Sequence, residues 1–321
     1  MAAGVPRDPG VLSRISILAI SLLTGLAAGA RPQAEDPAED SLRISVNVDL
    51  VVLQATVRDR GGHLVSDLRA QDFEVYEDRV RQSIRLFQHE DVPVTVGLVI
   101  DHSGSMGPKL PDVMEAARTF ARSSNPEDRM FVINFNEKVT LGLPVGPRFT
   151  NRADELERAV ASTPATGQTA LYDAVVEGLE RLRPGGPEKK VLIVISDGGD
   201  NASTLRMSEV LKRVAQSSAI VYAVGIYDEE NPDRNPDVLV RLARSTGGEA
   251  FFPARTDEVV AICERIARDI RNQYTIGYLS NSTAPAGAMR TIRMVARAIG
   301  KGELSVRTRN GYMAGGAGGA K

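Results

Sequence analysis

"TVGLVIDHSGSMG", residues 95–107, decides the fold. Val96 to Ile100 form an apolar run with no polar alternation, the pattern of a strand buried on both faces. The run stops on Asp101, and Ser103 and Ser105 follow at i+2 and i+4. A carboxylate and two hydroxyls at a strand end have three readings. They can be a turn that caps the next helix, a nucleophile with its helpers, or half of a metal site.

Outward from this stretch, strands and helices alternate between residues 93 and 272. The strand segments are "VTVGLVI", "RMFVINF", "KVTLGLP", "KVLIVIS", "AIVYAVGI" and "EAFFPA". Between them, "KLPDVMEAARTFARS" places Leu110, Val113, Met114, Ala117, Phe120 and Ala121 on one helical face. "NRADELERAV" opens on Asn151, a cap-like residue with an acid three positions on. "TALYDAVVEGLERL", "LRMSEVLKRVAQ", "PDVLVRLARSTGG" and "TDEVVAICERIARDIRN" supply four more helices. The order predicts an α/β, doubly wound, mostly parallel sheet flanked by helices.

Residues 44–92 and 273–313 are strand-like instead. "DFEVYED" followed by "VRQSIRLF" reads as a hairpin turning at Asp78-Arg79, which lacks the usual glycine. Each segment is too small to hold a core alone. The expectation is one β-rich module, with the α/β domain inserted between its halves.

The chemistry narrows by elimination. The chain has three histidines and one cysteine, so zinc clusters are disfavoured. No G-x-S-x-G, P-loop or G-x-G-x-x-G follows a strand. A hard-cation site remains, because one turn can aim Asp101, Ser103 and Ser105 oxygens at one point. One turn cannot fill a coordination sphere, so other strand ends must contribute. "ATGQTALYD" offers Thr169 ahead of a helix, and "VLIVISDGGDN" ends a buried strand at Asp197. In open α/β sheets, ligands gather at the carboxyl ends of strands near a switch point. Taken singly, the serines can be a turn and Thr169 an N-cap. His102 reads as a solvent-facing loop residue, and Asp200 and Asn201 as loop or cap residues.

D-x-S-G-S (Asp101 to Ser105), the threonine of "GQTALYDA" and "SDG" (Ser196 to Gly198) together resemble the von Willebrand factor type A (VWA) domain and its metal-ion-dependent adhesion site, MIDAS. The flanks "DFEVYEDRVRQSIRLF", "YTIGYLSNS", "RTIRMVARA" and "VRTRNGYM" resemble exported VWFA-related proteins of the Acidobacterial type, in which glycine is frequent where Arg79 stands. The resemblance implies a Rossmann-like VWA domain over 93–272. It also implies Mg2+, with Mn2+ or Ca2+ as alternatives, held directly by Ser103 and Ser105. Thr169 would ligate directly or through water, and Asp101 and Asp197 would act mainly through waters or through hydrogen bonds to the ligating groups. Neutral hydroxyls leave such a cation under-neutralised, so its open position would recruit an Asp or Glu carboxylate from a protein partner. The function implied is a non-enzymatic, exported protein-binding module for adhesion or assembly. A metal-dependent hydrolase and an envelope scaffold with an incidental metal are the alternatives.

The remainder sets bounds. The 321 residues are 42% hydrophobic and 25% charged with net charge −2, so no basic field draws nucleic acid. Arg7 and Arg14 precede "ISILAISLLTGLAAGA", which ends Ala28-Gly29-Ala30. Residues 1–30 therefore read as a signal peptide, with an uncleaved anchor as the alternative. No later segment is apolar enough to span a membrane. The expected location is periplasmic or extracellular. Residues 31–43 read as a flexible acidic linker, and 314–321 as a disordered Gly/Ala tail. The acidic "YDEENPDRNPD" reads as a solvated loop, with a second Ca2+ site a minor alternative. Cys263 shares a helical face with Val259, Ile262, Ile266 and Ile270, as a buried small hydrophobe would.

Overall fold

The computed structural model describes residues 50–143, 149–183, 189–197, 199–227 and 235–315. The expected signal peptide, the linker, most of the acidic loop and most of the tail lie outside them.

The α/β part begins at β5 (Val94–Asp101), all eight residues of which are buried. Around it stand β6 (Arg129–Phe135), β7 (Val139–Leu141), β8 (Lys189–Ser196), β9 (Ile220–Gly225) and β10 (Ala250–Phe251) in the order β10-β9-β8-β5-β6-β7. All pairings are parallel except β7, which turns back antiparallel on β6. Helices α1 (Leu110–Ser123), α2 (Ala153–Val160) and α6 (Glu258–Arg271) cover one face. On the other lie α3 (Leu171–Leu182), α4 (Met207–Gln216) and α5 (Pro236–Thr246). Cys263 is buried in the first core, and burial pushes its thiol up to about 12, as expected of an inert packing residue.

The chain leaves β5 for β6 on one side and later returns to β8 on the other. The switch point therefore opens between the carboxyl ends of β5 and β8. Their register sets Ile100 opposite Ile195, so Asp101 and Ser196 end side by side.

The flanking segments build a β-sandwich. One sheet runs β13-β1-β11-β4 and the other β14-β12-β2-β3. The strands are β1 (Leu50–Arg58), β2 (Phe73–Glu77), β3 (Val80–Gln82), β4 (Ile84–Gln88), β11 (Tyr274–Leu279), β12 (Met289–Ala296), β13 (Ser305–Arg307) and β14 (Gly311–Met313). Alternate residues point into one shared core: Leu53 and Ala55 from β1, Val75 from β2, Tyr274 and Ile276 from β11, Met294 from β12. Both sheets draw strands from both ends of the chain. The α/β domain is thus inserted between two halves of one module.

Two local expectations are corrected. "VRQSIRLF" is not one hairpin strand: β3 pairs with β2, but past Ser83 the chain crosses to the other sheet, where β4 pairs with β11. Asn151 does not cap α2. Its amide donates to the Pro126 carbonyl, while Thr150 Oγ1 receives the Arg152 N–H and donates to Glu155. The Asp78-Arg79 turn places both residues at positive φ, 47° and 71°, as a two-residue hairpin of matching twist requires.

Candidate metal centre at the sheet switch point

Asp101 ends β5 fully buried. Its Oδ1 accepts the Ser103 backbone N–H at 2.8 Å, and its Oδ2 accepts the Ser196 hydroxyl at 2.6 Å. The Ser103 and Ser105 hydroxyls lie 3.2 Å apart, and Ser105 Oγ donates to Asp197 Oδ2 at 2.8 Å. Strand end, turn and neighbouring strand end are thus joined through oxygens. Ser103 makes no capping hydrogen bond with its side chain, although it precedes the 3-10 turn Gly104–Lys109 that runs into α1.

The loop before α3 is pressed against this turn. Gly104 N–H donates to the Gly167 carbonyl at 3.2 Å, and Thr166 N–H to the His102 carbonyl at 2.9 Å. Gly167 stands at φ +80°, and a Cβ there would strike the Glu137 carboxylate, which itself accepts the Gln168 N–H. Both facts favour glycine. Thr169 is buried, and its hydroxyl has no hydrogen-bond partner among the described residues. It does not cap α3, whose N-cap residue is Ala170.

Burial pushes the Asp101 carboxyl up to about 6, against the hydrogen bonds from Ser196 and Ser103, and the charge of Asp197 adds to the rise. This carboxylate has no cationic side chain bonded to it among the described residues. The donor set is hydroxyl and carboxylate oxygen throughout, which fits a hard cation and not zinc's usual nitrogen and sulfur. No group of three or more His, Cys, Asp or Glu that could hold a metal occurs among the described residues, so the hydroxyls are essential to any such site.

His102 departs from expectation. It is fully buried, with Nδ1 3.1 Å from the Ile100 carbonyl and Nε2 2.9 Å from the Val160 carbonyl at the end of α2. The ring is turned away from solvent and fastens the Asp101 turn to α2. Asp200 does cap a helix, though not its own: its Oδ1 accepts the Tyr172 N–H of α3. Asn201 Oδ1 accepts the Thr169 N–H at 2.8 Å. Ser196 and Asn201 are the polar contacts of this site that sequence reasoning did not assign. The signal for Asn201 is alanine at the N-cap of α3, where a helix needs acceptors from elsewhere, and it is readable only once the start of α3 is known.

The family model for the von Willebrand factor type A domain matches residues 95–263, more than half of the chain, and the chain belongs to that family. It is 25% identical over 213 residues to an uncharacterized protein of Synechocystis, covering 64% of this chain and 49% of that one. Mouse inter-alpha-trypsin inhibitor heavy chain H2 is 26% identical over 219 residues, 64% of this chain and 22% of that protein. The matched stretch thus spans half or less of these relatives. Among solved structures, the fold resembles a von Willebrand factor type A protein from Catenulispora acidiphila at TM-score 0.50 and 13% identity, covering 83% of this chain and 74% of that one. It also resembles mussel byssus proximal thread matrix protein 1 with a zinc-occupied MIDAS motif, at TM-score 0.50 and 13% identity, covering 61% and 50%. Among the described residues no helix is long and apolar enough to cross a membrane.

Proposed function

We propose that the chain is an exported, Mg2+-dependent protein-binding module that acts in adhesion or assembly. What supports this most is the oxygen chain Ser103–Ser105–Asp197 beside the buried Asp101 carboxyl, which bonds no cationic side chain among the described residues. Ser103, Ser105 and Thr169 would hold the ion through hydroxyls. Asp101 and Asp197 would fix those hydroxyls and any bridging waters. The bound ion supplies a Lewis-acidic position that accepts an anionic oxygen. The natural donor is an Asp or Glu carboxylate of a protein partner. A relative in fold is described with its MIDAS occupied by a divalent metal, zinc, which is compatible with such a site here. Residues 93–272 would carry the binding face, and residues 44–92 with 273–313 would form its accessory module.

A hydrolase is less well supported. The imidazole beside the site, His102, is fully buried with its nitrogens 3.1 and 2.9 Å from backbone carbonyls, so it is not presented to a substrate arriving from solvent. The test is cross-linking with mass spectrometry in the native envelope, in Mg2+ and in EDTA. The reading requires cross-links from the 101–107 and 166–170 loops to an acidic partner segment in Mg2+, absent in EDTA and in Ser103→Ala/Ser105→Ala. The same cross-links under all conditions would count against it.

A further inference from the structure

Helix α3 begins on a residue that cannot cap it. Ala170 has no acceptor, so the N–H groups of the first turn need partners from outside the helix. They find them on the segment 200–205, which follows β8. Asp200 Oδ1 accepts the Tyr172 N–H at 3.1 Å and is held in turn by the Ser203 hydroxyl at 2.6 Å. Ser203 Oγ accepts the Asp173 N–H at 3.2 Å. The Asp173 carboxylate reaches back to accept the backbone N–H groups of Thr204 and Leu205. The segment is a strap across the start of α3, with an acid at the positive end of the helix dipole.

The strap reaches one residue further, to Thr169. Asn201 Oδ1 accepts the Thr169 N–H at 2.8 Å, while the Thr169 carbonyl accepts the N–H groups of Asn201 at 3.0 Å and Ala202 at 3.1 Å. The Thr169 backbone is therefore clamped on both its donor and its acceptor, while its hydroxyl makes no hydrogen bond among the described residues. On the far side, Ala170 N–H is fixed by the Asn136 carbonyl at 2.7 Å. A threonine whose backbone is held this fully and whose hydroxyl is left unspent is positioned for something other than the fold.

We propose that Asn201 is the positioning residue of the metal centre: its amide oxygen sets the Thr169 backbone and so aims the Thr169 hydroxyl. The claim rests on the cation-binding reading above. It also ties two oxygen donors together, because the strap that places Thr169 is the continuation of the chain from Asp197. A cation drawing on both would find them prearranged instead of paying to order a loop.

The test uses the full chain and Mn2+ as the probe, with affinity read by calorimetry and the thermal midpoint read separately in EDTA. Asn201→Ala should weaken Mn2+ by about tenfold or more, as loss of a partner that orients a ligand does. Asn201→Asp keeps the acceptor and should bind Mn2+ at least as tightly as wild type. A merely structural role would lower the EDTA midpoint of both variants without this rescue. Should Asn201→Ala fail to fold, Ser203→Ala loosens the same strap at the Asp173 N–H and must weaken Mn2+ by a smaller factor. Wild-type affinity in Asn201→Ala, or in Ser203→Ala where that stands in for it, would overturn the assignment. Absence of Mn2+ binding in the wild type would overturn the metal reading and this inference with it.

Discussion

Two buried carboxylates in this chain have opposite fates. Glu77, in the sandwich, accepts hydrogen bonds from Ser280 and Arg290 on Oε1 and from Tyr278 and Tyr312 on Oε2. Burial alone would raise its carboxyl, but the four donors outweigh it and hold it below the ordinary value. Asp101, in the α/β domain, has a hydroxyl, a backbone N–H and a neighbouring carboxylate, and it is pushed up to about 6. The first is a finished structural device joining β2, β11, β12 and β14. The second is short of positive charge, and the hydroxyls beside it are those that could hold a cation. A buried acid that is paired belongs to the fold; one that is unpaired points to a ligand.

Breaking the finished device should cost most. Glu77→Ala strands the buried Arg290 guanidinium and should destabilise the protein by about 3–5 kcal/mol in urea unfolding, with or without Mg2+. Asp101→Asn should do the reverse in EDTA, stabilising by on the order of 2–3 kcal/mol at neutral pH because it removes an unpaired buried charge. The same substitution should abolish stabilisation by Mg2+.

The signs separate with pH. For Asp101 the folded value lies above the unfolded one, so the folded state keeps a proton that the unfolded state has lost. In EDTA its contribution should fall as pH rises from about 4 to about 6. Glu77, held low, contributes stability above its unfolded value that is lost as pH falls through its lowered folded value. Urea midpoints in EDTA between pH 3 and 7 should show the falling limb between about pH 4 and about 6 vanish in Asp101→Asn. A limb unchanged by that substitution would remove the contrast.

The smallest effect sharpens the comparison from the sandwich side. Arg79→Gly relieves a side chain at φ 71° and should stabilise by about 0.5–1 kcal/mol while leaving Mg2+ affinity untouched. Asp78 should not be changed with it, since its Oδ1 accepts both the N–H and the hydroxyl of Thr291. A changed cation affinity in Arg79→Gly would mean that the two regions are not independent.

The parts legible in the sequence were those written in local pattern. Unbroken apolar runs ending at Asp101 and at Asp197 marked strands buried on both faces, and the strand order then set the switch point between them. The paired β segments were legible because neither could bury a core alone. What escaped depended on long-range partners. The crossing at Ser83 carries no turn signal; it is decided by Ile84 and Phe87 packing against the shared sandwich core. His102 looks like a loop residue because the carbonyl that receives its Nε2 belongs to Val160, 58 residues on. Ser196 became a partner of Asp101 only through the β5–β8 register. Asn201 waited on where α3 begins.

Among the described residues the Asp101 carboxylate bonds no cationic side chain, whereas Glu77 bonds Arg290. That a cation binds at the Asp101 end is tested most directly by calorimetric titration of Mg2+ into wild type and into Ser103→Ala/Ser105→Ala. One site is expected in the wild type and none in the double variant, whose stability in EDTA should fall by about 1–3 kcal/mol because Ser105→Ala removes the donor to the buried Asp197 carboxylate. Protection of the wild type by about 2.7 kcal/mol is expected at a hundredfold excess over Kd. Equal Mg2+ binding in both proteins would contradict a cation at this site.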